Sequence, residues 1–309
     1  MTLTSARPAL GLLTLAFLLG GATAAHSQNY AASVVGTPIL SSSNAYLSNP
    51  NAVLGQPTTL YEAPAASGFA GEYHASLVAP PYYTTPSGIN ALAGFGGPST
   101  GTPGSLIVKM AAPITHSDSH WYGDDFIVYG NALFSGANAT TGDYMVTPTT
   151  DMSQYVIDQY GIFQNGTPTV SVSADGINFT QLTTAQTFFP ENPYSWAGIT
   201  AQNTSGWGAL NDFTKPVDPT LSTSAFVGQS VAYADNTLYG GSAGGQAFSL
   251  AGSSLSTINY IEFSGFGNID GVAGVSSNPA AVPEASSVVS LALLLGFGVI
   301  ALRRKKIAS

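Results

Sequence analysis

His116-Ser117-Asp118-Ser119-His120 is the densest run of metal-competent side chains in the chain. If the segment is extended, its period of two puts His116, Asp118 and His120 on one face, a two-histidine, one-carboxylate set suited to a transition metal. If it is helical, the histidines fall at i and i+4, but the glutamate of an H-E-x-x-H zinc site is missing. The run follows Pro113 and is polar, so it also reads as a solvated loop. Shortly after it, Asp124, Asp125 and Asn131 flank an apolar stretch. Hard oxygen donors at strand ends suit Ca²⁺, which takes about 6–8 oxygens. Backbone carbonyls of Ser242 to Gly245 would complete such a shell. The competing reading is that Asp124 only forms a turn after Gly123.

Other chemistries are narrower. There is no cysteine, so disulfides, thiol nucleophiles and thiolate metal sites are excluded. No G-x-S-x-G elbow or Ser-His-Asp order supports a hydrolase. Polysaccharide hydrolysis by carboxylates among Asp118, Asp124, Asp125 and Glu191 stays open, because acids about 5–9.5 Å apart in space need not be close in sequence. Trp121, Tyr122, Trp196 and Trp207, with Tyr82, Tyr83 and Tyr194, fall in loop-like stretches where rings can stack on sugars. Burial of the same rings inside a sandwich is the alternative.

The elements that must position these residues read as strands. The 309 residues include 35 Gly, 19 Pro, 15 Tyr and 15 Phe, and only 7% are charged, against about 25% in an ordinary soluble domain. A coiled coil, which needs Glu/Lys-rich heptads, is excluded. Short β-rich runs bounded by Gly, Pro, Asn and Asp recur at Ser33–Leu40, Ser105–Met110, Asp125–Tyr129, Thr169–Ala174, Gln229–Ala234 and Asn259–Phe263. In Asp125–Tyr129 both faces are apolar, which predicts a strand covered on both sides. In Thr169–Ala174, Val170 and Val172 alternate with Ser171 and Ser173, which predicts valines inward and serines outward. Regular spacing of this kind predicts one all-β domain, residues 26–273, built as a two-sheet sandwich. A Ser-, Ala-, Asn- and Pro-containing linker follows over 274–281.

Both ends carry processing signals. Residues 1–25 combine Arg7, a short apolar run from Leu10 to Leu19, and the small-x-small pattern Ala22-Thr23-Ala24, as in a cleavable secretory signal. An uncleaved anchor is the alternative, but the run falls short of the roughly 20 residues that span a bilayer. At the other end, Val282-Pro283-Glu284-Ala285 leads into an apolar helix over 288–302 and then Arg303-Arg304-Lys305-Lys306. Four cations at that end stop transfer and stay cytoplasmic. With both ends removed, Lys109 and Lys215 face fifteen carboxylates, a formal charge of −13. A basic nucleic-acid binder is excluded, and divalent cations and neutral sugars remain possible partners.

The order Pro-Glu, apolar helix, basic cluster at residues 282–309 resembles the PEP-CTERM sorting signal of Gram-negative surface proteins, with Ala285 where the second proline usually stands. That resemblance implies recognition and cleavage by an exosortase, a membrane intermediate, and a final place on the surface or in an exopolysaccharide matrix. Ser173-Ala174-Asp175-Gly176-Ile177-Asn178-Phe179 resembles a hairpin of discoidin-like jelly rolls. Asp124-Asp125-Phe126 with Asn131, and Asn49-Pro50-Asn51-Ala52-Val53-Leu54-Gly55, are similar to stretches of PEP-CTERM proteins with such a domain. The implied fold is a jelly-roll-like antiparallel β-sandwich. The implied role is a non-enzymatic, exported surface protein; a polysaccharide hydrolase or a sugar-binding module is the rival. Relatives of this kind carry Asp where Gln246 and Ser249 stand, so an ion site there is not expected to be intact.

Overall fold

The computed structural model describes residues 28–40, 47–63, 71–78, 81, 84–88, 91–95, 102–142, 152–162, 166–195 and 209–279. The expected signal peptide (1–25) and sorting tail (282–309) lie outside the described residues. Among the described residues the strands are β1 (Ala31–Ile39), β2 (Leu60–Ala63), β3 (Gly71–His74), β4 (Ala93–Phe95), β5 (Gly104–Thr115), β6 (Phe126–Gly130) and β7 (Ala132–Asn138). They continue with β8 (Tyr155–Ile162), β9 (Thr169–Ser173), β10 (Thr180–Gln181), β11 (Gln246–Phe248), β12 (Thr257–Gly265) and β13 (Gly267–Gly274). All named pairings are antiparallel. One sheet has the order β1-β5-β12-β9-β10 and a second the order β11-β6-β13-β4, while β2-β3 and β7-β8 form separate ribbons.

The two larger sheets pack face to face. Leu106, Val108, Met110, Val170, Val172, Ile261 and Phe263 from the first meet Phe126, Val128, Phe248, Ile269 and Val272 from the second in one core. Phe126 and Phe248 stack with ring centroids 5.2 Å apart. Each large side chain buried this way contributes roughly 1.5–3 kcal/mol. The fold is an all-β sandwich.

Strand β6 explains why its sequence is apolar on both faces. Phe126 and Val128 point into the inter-sheet core. Ile127 and Tyr129 point the other way, into a second cluster with Phe213, Ala243, Ala247, Ala273 and Val275. Tyr129 Oη donates to Phe213 O at 2.7 Å, which satisfies its only buried polar group. Loops 188–195 and 209–217 and the glycine-rich turn before β11 therefore form a third layer over the smaller sheet. Gly245 permits that layer. Its φ is +83°, and a Cβ there would sit 2.4 Å from Ile127 Cγ2 and 2.8 Å from Val128 O.

Local expectations fare unevenly. The Asp175-Gly176 turn joins β9 to β10 with Gly176 at φ +77°. Asp175 Oδ1 accepts from the Ile177 and Asn178 amides, both at 2.8 Å. Asn49-Pro50-Asn51 forms a 3-10 turn, capped by Asn49 Oδ1 accepting from Asn51 N at 3.0 Å, that tucks Val53 into the core. Val170 and Val172 point inward as expected, but Ser171 and Ser173 are buried too. Ser173 lies under its own turn, where its Oγ accepts from the Gly176 amide and donates to Asp175. Gln229–Ala234 is not a strand. Ser230 caps a helical turn over Val231–Tyr233 that widens into a π-turn over Ala234–Tyr239. The turn buries Val231, Ala234 and Tyr239 against Phe134 and Phe226. Packed structure also continues past residue 273, since β13 ends at Gly274, Val275 is buried and Ser277 bridges to His120.

Candidate functional site

Strand β5 runs out at Thr115, and the connection to β6 must bring Asp125 to the foot of a fully buried strand. A carboxylate there needs donors on all its lone pairs. The chain supplies four. His116 Nδ1 lies 2.9 Å and the Leu250 amide 2.7 Å from Oδ2; His120 Nδ1 lies 3.0 Å and the Ser117 amide 3.1 Å from Oδ1. Burial alone would raise the pKa of Asp125, but the bonds from His120, Leu250, His116 and Ser117 hold it below the ordinary value. His116 is shifted upward, chiefly by its bond to Asp125.

The segment between the histidines is a tight turn, neither an extended strand nor a helix. His120 N–H donates to Ser117 O (3.0 Å), Ser119 N–H donates to Ser117 Oγ (3.2 Å), and the two serine Oγ atoms lie 2.7 Å apart. Consequently His116, Asp118 and His120 do not share a strand face. The histidines converge through Nδ1 on Asp125, while Asp118 is wholly exposed, its Oδ1 3.5 Å from His116 Nε2. Beside them is a cleft of about 270 Å³ lined by His120, Asp125, Asn29, Thr115, Thr214 and Ser276.

The calcium grouping is not brought together. Asp125 is saturated as described. Asp124 is buried, and its Oδ2 accepts from Gln186 Nε2 at 2.6 Å. Burial pushes its carboxyl up to about 6 despite that bond. Asn131 follows the far end of β6, on the order of 20 Å away at about 3.3 Å per residue. Two of the four carbonyls proposed to complete the shell are engaged, since Ala243 O accepts from Asn192 N and Gly245 O from Phe189 N. Gln246 donates to Gln186 O and Ser249 to Gly123 O, so both side chains pin loops. Among the described residues no cluster of three or more His, Asp or Glu is arranged to hold a metal.

Of the expected sugar-contact residues, Trp196 and Trp207 lie outside the described residues, as do Tyr82 and Tyr83. Trp121 is half-buried, with Lys215 Nζ 4.7 Å from its ring centroid, so that face is occupied. Tyr122 is 45% exposed and is the one non-glycine residue with positive φ (+56°) among the described residues. Holding a bulky residue there costs about 1–3 kcal/mol.

Sequence reasoning named Glu191 among the candidate hydrolytic acids but missed its partner, Asp270. Glu191 and Asp270 are 0% and 1% exposed and face one another. Asp270 Oδ2 accepts from the Thr58 amide at 2.5 Å. Its other oxygen and both oxygens of Glu191 find no other donor. Burial, then the neighbouring carboxyl, drives Glu191 far above the carboxylate range, and burial pushes Asp270 up to about 7. The pair therefore holds a proton at neutral pH. The single hint in sequence is the alternation Asn268-Ile269-Asp270, which puts two polar side chains on the outer face of β13. Sealed beneath the third layer, Glu191 and Asp270 are closed to solvent. No known family model, curated protein or solved structure matches the chain.

Proposed function

We propose that this is an exported surface or matrix protein without catalytic activity. Its ectodomain is a jelly-roll-like sandwich, and its C-terminal tail is a sorting signal processed by an exosortase. The observation that carries the reading is the tail itself. Pro283-Glu284, an apolar run over 288–302 and Arg303 to Lys306 follow a body that contains only two lysines and no arginine. The order of parts suits a segment threaded into a bilayer and stopped by its cations. Among the described residues no helix is long and apolar enough to cross a membrane. The roles of the carboxylates fit the same reading: Asp124 and Asp125 are tied to loops, and Glu191 and Asp270 are sealed. Association with exopolysaccharide follows from the resemblance of the tail, and Tyr122 favours a sugar-binding ectodomain as the second reading.

Mass spectrometry of the mature protein from its native host tests the proposal. The chain is expected to end near Pro283 and to lack residues 288–309. Intact Arg303-Arg304 in the surface fraction would overturn the cleavage. Changing Arg303 to Lys306 to alanine is expected to trap or mislocalise the precursor.

A further inference from the structure

We propose that His116 and Asp118 form a two-ligand chelate for a divalent transition metal, with Asp125 as the buried acceptor that orients the histidine. The argument starts at Asp125. Its four contacts include two backbone amides, which can only donate, and an ionised carboxylate can only accept. His116 Nδ1 must therefore carry the proton it shares with Oδ2 at 2.9 Å. In the neutral ring the remaining nitrogen, Nε2, holds the lone pair that binds metals, a metal competes there with the proton that Asp118 favours, and a carboxylate behind Nδ1–H raises the basicity of Nε2 and fixes the ring.

The second donor is already in place. Asp118 Oδ1 stands 3.5 Å from His116 Nε2. Two donors at zinc bond lengths of about 2.1 Å and a tetrahedral angle lie about 3.4 Å apart. The two groups thus bracket a metal position with little movement. The turn between them is braced by the Ser117 and Ser119 hydroxyls and by the Ser117 amide on Asp125. Asp118 is wholly exposed and the His116 side chain is 27% exposed, so solvent reaches the position. No third His, Asp or Glu completes the shell among the described residues, and water takes the other positions. An imidazole and a carboxylate select Zn²⁺ or Cu²⁺ over Ca²⁺ or Mg²⁺, which prefer oxygen alone.

The test uses the purified chain without a polyhistidine tag, titrated with Zn²⁺ by calorimetry, with His116 ring nitrogens followed by ¹⁵N NMR. One equivalent is expected to bind with a shift at Nε2 and little at Nδ1. Asp118→Asn, which alters only an exposed group, is expected to weaken binding at least about tenfold, and His116→Gln to abolish it. Asp125→Asn leaves both ligands in place but removes the oriented acceptor, and is expected to cost about 10–100-fold. Asp158→Asn, elsewhere on the surface, serves as the control for diffuse attraction to an acidic protein. Zinc binding that survives Asp118→Asn and His116→Gln unchanged, or a shift at Nδ1 instead of Nε2, would overturn the proposal. So would the absence of binding to a protein whose melting curve shows it folded, leaving the contact an exposed ion pair.

Discussion

Asp270→Asn probes the sealed acid pair. A carboxyl whose pKa is raised in the folded state keeps its proton while the unfolded chain releases it. Folding therefore loses free energy as pH rises above the ordinary carboxylate value, and the loss levels off above the folded-state value. For Asp270 the rise from 3.8 to about 7 spans roughly three units, at about 1.4 kcal/mol each, or about 4 kcal/mol. Asparagine does not titrate, and its Oδ1 can still accept from Thr58 N–H. The variant is expected to match the parent near pH 4 and to gain on it steadily toward neutrality, by up to about 4 kcal/mol. Urea unfolding of both proteins at one-unit steps of pH reads this directly. Glu191→Gln, whose amide N–H replaces the acid O–H, is expected to shift stability in the same direction. If the parent and Asp270→Asn curves run parallel from pH 4 to pH 8, the two carboxyls do not share a proton and the reasoning fails.

Val172 is fully buried between the sheets, so Val172→Asp places an unpaired carboxylate in the core and is expected to abolish cooperative unfolding and near-ultraviolet dichroism. Gly245→Ala forces a Cβ into Ile127 and the Val128 carbonyl at a left-handed position and is expected to cost more than about 2 kcal/mol in denaturant unfolding. Gly36→Ala, also at positive φ (+71°) but with open space around it, is expected to cost only about 1 kcal/mol. Equal losses would mean that backbone strain alone, and not the close approach of the third layer, governs Gly245.

How far the sequence could be read depended on the range of the interaction concerned. The double apolar character of Phe126–Tyr129 is local, so it announced a strand covered twice. The Asp175-Gly176 turn was legible for the same reason. Gln229–Ala234 misled because Val231 and Tyr233 favour strands, while the helical turn is held by the Ser230 cap and by burial against Phe134 and Phe226. Ser171 and Ser173 have the residue type of an outward face, and the hairpin turn that buries Ser173 belongs to a later stretch. The histidine run was recognisable as a cluster, but its geometry depends on Asp125 and on Leu250 across the domain. Glu191 and Asp270 belong to distant segments, and only the third layer of loops brings them together. Asp124, Asp125 and Asn131 show the opposite error, since closeness in sequence along an extended strand means separation in space.

The two lysines carry a consequence for how the folded domain withstands proteolysis. Proteases that cut after basic residues require an accessible Lys or Arg in a segment that can enter their cleft. Between Arg7 and Arg303 the chain offers only Lys109 and Lys215. Lys109 sits within β5, hydrogen-bonded between β1 and β12. Lys215 lies over Trp121 and donates to Gly240 O at 2.5 Å, and it precedes Pro216, whose ring replaces the amide such enzymes cut. Without any disulfide, the domain thus leaves trypsin-like enzymes no open point of attack while it stays folded, and its lifetime against them is set by how often β5 comes out of its sheet.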